Sequence, residues 1–277
     1  MGLLIPSDRL TSKSDRLNCV VSGIHNRKSV VALGEPNIGE QALSKAAEVG
    51  LSTQLDEVEK LEVDIRTDPG KMLQGELESV EIKGEGLVMQ KDLRAEELQI
   101  KTGNIAINPL SAAFGKIELT RPTDAEANVV LTEQDMERAF NSEYIHDKLQ
   151  NLDVNVNGQP LTINTQRVQF SLPGEEKIGL DAEILVKETS ETKQVAFTTV
   201  PRLSPGGEKI LLEDVQYAEG QELSPDLTAA LLDRANELLD LRNFELEGMS
   251  LRLKGFDIQK GRLTLQSQAR VEKFPES

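Results

Sequence analysis

Leu61, Val63 and Ile65 alternate with Glu62, Asp64 and Arg66. A period of two sends successive side chains to opposite faces, so this stretch reads as a strand with one buried face. The same alternation returns in "LESVEIKGEGL" (77–87), in "ILVKETSETKQVAFTTV" (184–200) and in "LSPGGEKILLEDVQY" (203–217). It runs almost unbroken through "FELEGMSLRLKGFDIQKGRLTLQSQARV" (244–271). "DVNVNGQPLTIN" (153–164) predicts a hairpin turning at Asn157-Gly158, because that pair accepts the positive φ values of a tight turn.

Three segments switch to helical spacing. Asn37 and Glu40 suit a capping arrangement ahead of Leu43, Ala46, Ala47, Gly50 and Leu51. Thr132 caps "EQDMERAF", with Met136, Ala139 and Phe140 on one face. Ser224 precedes Pro225 and Asp226, which suit the first turn of a third helix. Its apolar stripe is Leu227, Leu231, Ala235 and Leu238. These starts, at 37, 132 and 224, are nearly evenly spaced, and "LESVEI", "LEDVQY" and "LEGMSL" echo one another. The pattern predicts a reused helix-plus-meander unit in an α+β chain. The expected form is one elongated body of strongly curved antiparallel β-sheets with helices against the inner face.

Composition narrows the function. Asp+Glu is 47 against Lys+Arg 31, a net charge of −16, which repels nucleic-acid phosphates. The balance is uneven: Arg9, Lys13, Arg16, Arg27 and Lys28 against Asp8 and Asp15 give residues 1–28 a net +3, leaving −19 on the remainder. The expected organisation is a flexible basic arm over 1–36 followed by one domain over 37–277. The arm suits either an anionic membrane surface or a solvated tail. Cys19 stands alone, so no internal disulfide forms and a reducing compartment is natural. "DRLNCV" is similar to a bacterial lipobox, but Arg16 and "LTSKSD" replace the apolar run of an export signal. No segment approaches the roughly 18 apolar residues of a membrane span.

Catalytic signatures are missing from the sequence. "GEGLVM" lacks the spacing of a phosphate loop, and no G-x-S-x-G elbow occurs. Of two histidines, His25 lies in the arm, and His146, at a polar helix end, is expected at the surface. Neither has a neighbouring zinc partner. The carboxylates alternate with apolar residues, which suits a solvated sheet face. The expectation is a protein that is not an enzyme, with no cofactor, no metal and no nucleic-acid partner.

One stretch carries a more specific signal. Asp68-Pro69-Gly70 suits a type II turn, and Met72, Leu73 and Gly75 follow it before "LESVEIKGEGL". Together with "LRAEELQIKTGNIAIN" (93–108) and "LTEQDMERAF", this stretch resembles the DUF2993, or LmeA-like phospholipid-binding, family over roughly residues 40–145. The resemblance implies a tubular lipid-binding fold akin to bactericidal permeability-increasing protein, with an apolar groove between helix and curved sheet. It implies non-catalytic binding or transfer of phospholipid or another acyl lipid. The family includes an exported lipoprotein. Without an export signal, this chain is expected in the cytoplasm or at the periphery of an inner or thylakoid membrane, in a cyanobacterial-type source. A 16-carbon chain exposed to water loses on the order of 12 kcal/mol, so the binder must keep it dry. Met72, Leu73, Leu77, Met89, Phe114, Met136 and Phe140 are the candidate lipid-binding residues. The same seven also suit an ordinary filled core. The alternative function is an adaptor that pairs a protein partner along an exposed sheet edge.

Overall fold

The computed structural model describes residues 38–89, 92–113, 118–218, 225–239 and 248–273. The expected arm over 1–36, and with it Asn37 and Ser224, lies outside the described residues. So does Phe114. Antiparallel strands dominate, one sheet curls strongly into a half-barrel, and a few helices accompany them.

The first sheet has six strands: β1 (Lys60–Arg66), β3 (Ser79–Met89), β4 (Leu93–Thr102), β6 (Thr123–Thr132), β13 (Arg262–Val271) and β12 (Met249–Gln259), in that spatial order. The second is a five-stranded meander of β7 (Leu152–Val156), β8 (Gln159–Gly174), β9 (Lys177–Val186), β10 (Glu191–Leu203) and β11 (Ile210–Tyr217). β2 (Glu76–Leu77) and β5 (Ile105–Ala106) pair separately. The predicted hairpin forms with Val156 opposite Gln159, and Asn157 (φ 52°) and Gly158 (φ 82°) supply its positive-φ turn.

Helix α1 (Ile38–Ser52) departs from the expected pattern. Its predicted apolar stripe is not its packing face: Ala46, Gly50 and Leu51 are exposed, and the one buried residue is Glu40. The reason lies in the free edge of β1, whose outward N–H groups need acceptors. Glu40 accepts from Thr67 N at 2.7 Å, Ser44 from Ile65 N at 3.0 Å and Glu48 from Val63 N at 3.3 Å. Four helical residues advance about 6 Å and two strand residues about 6.6 Å, so one acceptor per helical turn meets every second strand N–H. This edge of the sheet is covered by α1 and does not offer the open pairing edge that an adaptor would use.

Asp68-Pro69-Gly70 also differs from expectation. It opens a one-turn helix, α2 (Pro69–Met72), instead of a type II turn, because the Asp68 carboxylate caps it by accepting from Gly70 N at 2.8 Å. The positive φ falls at Gly75 (78°), where an added Cβ would sit 2.2 Å from the Ile107 carbonyl oxygen. Gly75 thus turns the chain into β2. A second short helix, α3 (Pro109–Ala113), follows β5.

Helix α4 (Glu133–Phe140) begins where predicted. Thr132 and Asp135 form a reciprocal capping box. Arg94 on β4 reaches Asp135 at 2.9 Å, Glu96 at 2.7 Å and Glu59 at 3.0 Å. Burial alone would raise the Asp135 carboxyl, but Thr132 and the Arg94 guanidinium hold it below its ordinary range. α5 (Glu143–Lys148) follows directly, capped by the buried Ser142. α6 (Pro225–Leu238) opens on Pro225, as expected for a first-turn proline.

Two apolar clusters fill the interior. Phe170 and Leu172 of β8 meet Ile258 of β12 and Leu263 of β13, joining the sheets. Leu152, Val154, Ile163, Ile184 and Val186 of the second sheet meet Leu227 of α6.

Candidate functional site

The second sheet and its helices line an apolar cavity of about 380 Å³ that is partly open to solvent. Its floor is a row of residues paired across four strands: Phe170 opposite Leu180, Leu180 opposite Phe197, and Phe197 opposite Tyr217. Thr165, Val168, Ala182, Ile184 and Val195 extend that floor. Register fixes the arrangement, since inward-facing side chains of adjacent antiparallel strands stack in rows.

Two helical walls face the floor. α6 contributes Thr228, Leu231, Leu232 and Ala235, and Leu239 lies just beyond it. Fourteen residues give α6 a length of roughly 21 Å, against roughly 19 Å for the width of five strands, so the helix can bridge the sheet. It is tied at both ends. Asn157 donates to Asp226 at 2.6 Å beside the β7–β8 hairpin, and Ile210 N on β11 donates to the Leu239 carbonyl at 3.3 Å. Between those ties Leu227 is buried against β7 and β8, and the Leu231–Ala235 portion faces the cavity.

The other wall comes from α4 and α5, through Phe140, Ile145 and Leu149. Its position is set by a clamp on β8. Leu172 N donates to the Glu133 carboxylate at 2.6 Å. At the other end of α4, Asn141 bonds Val168 twice, donating to its carbonyl at 2.6 Å and accepting its N–H at 3.2 Å. Between these anchors Phe140 stacks on Phe170 with ring centroids 5.6 Å apart. Amide and carboxylate anchors satisfy the backbone beside the cavity without projecting polar groups into it.

Polar atoms are sparse among the described lining residues. Thr165, Thr228, Tyr217, Lys148 and Arg234 are the side chains that carry them. Lys148 Nζ lies 4.9 Å from the Tyr144 ring centroid, and Arg234 pairs with Glu237 at 2.6 Å. A volume of this size with carbon walls gives water too few partners, whereas hydrocarbon loses nothing by entering.

Of the seven residues singled out from the sequence, Phe114 lies outside the described residues and the other six are spread over two regions. Phe140 lines the cavity, and Met136 packs on the cluster beside it. Met72 (half-buried) and Leu73 (exposed) sit at the end of α2, Leu77 pairs with Ile105 on β2, and Met89 is exposed at the end of β3. These four adjoin the first sheet and do not line the cavity. Most cavity residues were not singled out. Their one signal was the inward phase of the β8–β11 alternation and the Leu231–Ala235 stripe of α6. His146, expected at the surface, is half-buried and meets the Gln150 amide at 3.0 Å. Among the described residues no group of three or more His, Cys, Asp or Glu is placed to hold a metal ion, and no helix is long and apolar enough to cross a membrane.

The family model described as LmeA-like phospholipid-binding matches residues 36–268. No curated protein and no solved structure matches the chain.

Proposed function

The chain belongs to the LmeA-like phospholipid-binding family, and on that premise we propose that it binds a phospholipid non-catalytically, with acyl chain in the cavity between α6 and the second sheet. The observation that carries this reading is the wall chemistry of that cavity: aliphatic and aromatic side chains from five strands and three helices, with few polar atoms. The volume falls within the roughly 300–1,000 Å³ of small-molecule sites, and such a surface selects ligands by hydrophobic burial. A helix laid across a curved sheet above an apolar space also supports kinship with the tubular lipid-binding folds. The headgroup stays at the edge of the cavity, where Lys148 and Arg234 supply positive charge for a phosphate.

In this reading Phe140 is a direct acyl contact and Met136 supports it from the adjoining cluster. Met72 and Leu73 serve where the protein meets the bilayer.

A fluorescent acyl probe tests the reading. Leu231→Trp adds bulk to the α6 wall, and Leu73→Ser alters an exposed leucine at the end of the first sheet. Probe affinity should fall about tenfold or more in Leu231→Trp, as steric filling of a site costs more than ~1.4 kcal/mol, and stay unchanged in Leu73→Ser. Unchanged affinity in Leu231→Trp would refute acyl binding at this cavity.

A further inference from the structure

The volume of the cavity bears on how many acyl chains it takes. A methylene in hydrocarbon fills about the same space as a water in the liquid, roughly 30 Å³, so 380 Å³ holds about 13 methylenes. On the same scale one chain of sixteen carbons needs roughly 480 Å³, and the pair in a diacyl phospholipid about twice that. One chain fills the space, with the carbons next to its headgroup at the opening, and a second finds no room. The walls are tied against spreading to admit it. Glu133 and Asn141 hold α4 to β8 at both ends, Phe140 stacks on Phe170, and α6 is tied through Asp226 and the Leu239 carbonyl. A second chain would stay in water, where every methylene weakens binding.

Charge at the same site narrows the headgroup. The charged side chains among the described lining residues are both cationic: Lys148 on α5 and Arg234 on α6. Leu149, next to Lys148, and Leu231, one turn before Arg234, pack against the same apolar cluster, so both helices carry their cation beside it. Lys148 Nζ lies over the Tyr144 ring. Arg234 gives one guanidinium nitrogen to the exposed Glu237, and its Nε is buried without a hydrogen-bond partner. A buried cationic N–H needs an acceptor, and a phosphate oxygen is a strong one. We propose that the cavity selects a phospholipid with a single acyl chain, a lysophospholipid, with its chain under α6 and its phosphate held by Lys148 and Arg234. The inference rests on the lipid reading of this cavity and adds the number of chains.

The test is displacement of a fluorescent acyl probe from the full-length protein by lysophosphatidylglycerols of eight to eighteen carbons, each below its aggregation concentration. Every added methylene should tighten binding about fourfold until the cavity is full, near 13 carbons, and far less beyond that length. Ala235→Leu adds three carbons to the α6 wall and should move the break to about ten, which a break caused by lipid aggregation would not do. Native mass spectrometry should count one sixteen-carbon lysolipid per chain at saturation. Protein re-isolated from phosphatidylcholine vesicles holding equal amounts of palmitoyl-lysophosphatidylglycerol and dipalmitoylphosphatidylglycerol should carry the lysolipid. The Lys148→Gln, Arg234→Gln double variant should bind the lysolipid about tenfold more weakly and monopalmitoylglycerol, which has no phosphate, as tightly as wild type. Affinity that climbs steadily to eighteen carbons, a break at the same length in Ala235→Leu, two lysolipids per chain, or equal uptake of the diacyl lipid would overturn the single-chain proposal and leave lipid binding standing. Failure of every lipid to bind would remove the lipid reading itself, and the proposal with it.

Discussion

Glu40→Ala removes the most buried member of the ladder that holds α1 to the β1 edge. The Glu40 side chain is 7% exposed and accepts from Thr67 N at 2.7 Å, the shortest of the three bonds. A hydrogen bond to a charged acceptor contributes ~1.5–3 kcal/mol, and here its loss also strands a buried N–H. For a domain of this size ~1 kcal/mol moves Tm by about 2–4 °C, so Glu40→Ala should lower it by roughly 5–10 °C. Glu40→Gln keeps an acceptor oxygen and should lose less than half as much. Ser44→Ala, which removes a neutral partner at 3.0 Å, should cost about 1 kcal/mol. The assay is thermal unfolding by circular dichroism, joined to sizing chromatography, because a loosened α1 bares the edge of β1 and favours self-pairing. Equal midpoints for Glu40→Ala and wild type, or equal losses for Glu40→Ala and Glu40→Gln, would show that α1 is held by something other than these side-chain acceptors.

Other consequences are as direct. Gly75→Ala should destabilise by about 2–4 kcal/mol, because its φ of 78° and the Ile107 carbonyl 2.2 Å from an added Cβ leave no room to adjust; urea unfolding measures it. The Asp135 carboxyl is held below its ordinary range, so its contribution is present above the unfolded carboxylate pKa and is lost as pH falls through the folded one. Tm should therefore fall less steeply below about pH 5 in Asp135→Asn than in wild type, and parallel curves would contradict that. Asn141→Ala should release the α4 clamp on Val168, costing about 2 kcal/mol and weakening acyl-probe binding together, since Phe140 loses its fixed place.

What the sequence made legible was local. Thr132 and Asp135 bracket a helix start, Asn157-Gly158 closes a hairpin, Pro225 opens α6, and the alternating blocks became strands. Each signal is carried by neighbours within a few residues. Helix α1 was legible as a helix but not in its orientation. Its Leu43, Ala46 and Leu51 pattern points to an apolar packing face, and only the free edge of β1, brought in by tertiary structure, makes Glu40, Ser44 and Glu48 the buried side. Asp68 likewise turned a Pro-Gly turn into a capped helix. The cavity was the least legible feature. Ile184, Val195 and Leu212 are ordinary strand residues, and nothing in their spacing says that α6 stands off from them instead of filling the space. The resemblance read from the sequence, over roughly 40–145, drew attention mainly to the first sheet, although "LTEQDMERAF" within it carries Phe140 of the cavity wall.

An acyl lipid held in the cavity under α6 would travel with the protein through purification. The most direct measurement is organic extraction of the purified, natively folded protein followed by mass spectrometry against a protein standard, on wild type and on Leu231→Trp. Wild type should yield phospholipid approaching one molecule per chain, and Leu231→Trp, equally folded, should yield several-fold less. Wild-type protein free of lipid that also fails to take up phospholipid from vesicles, or equal cargo in both proteins, would contradict the claim.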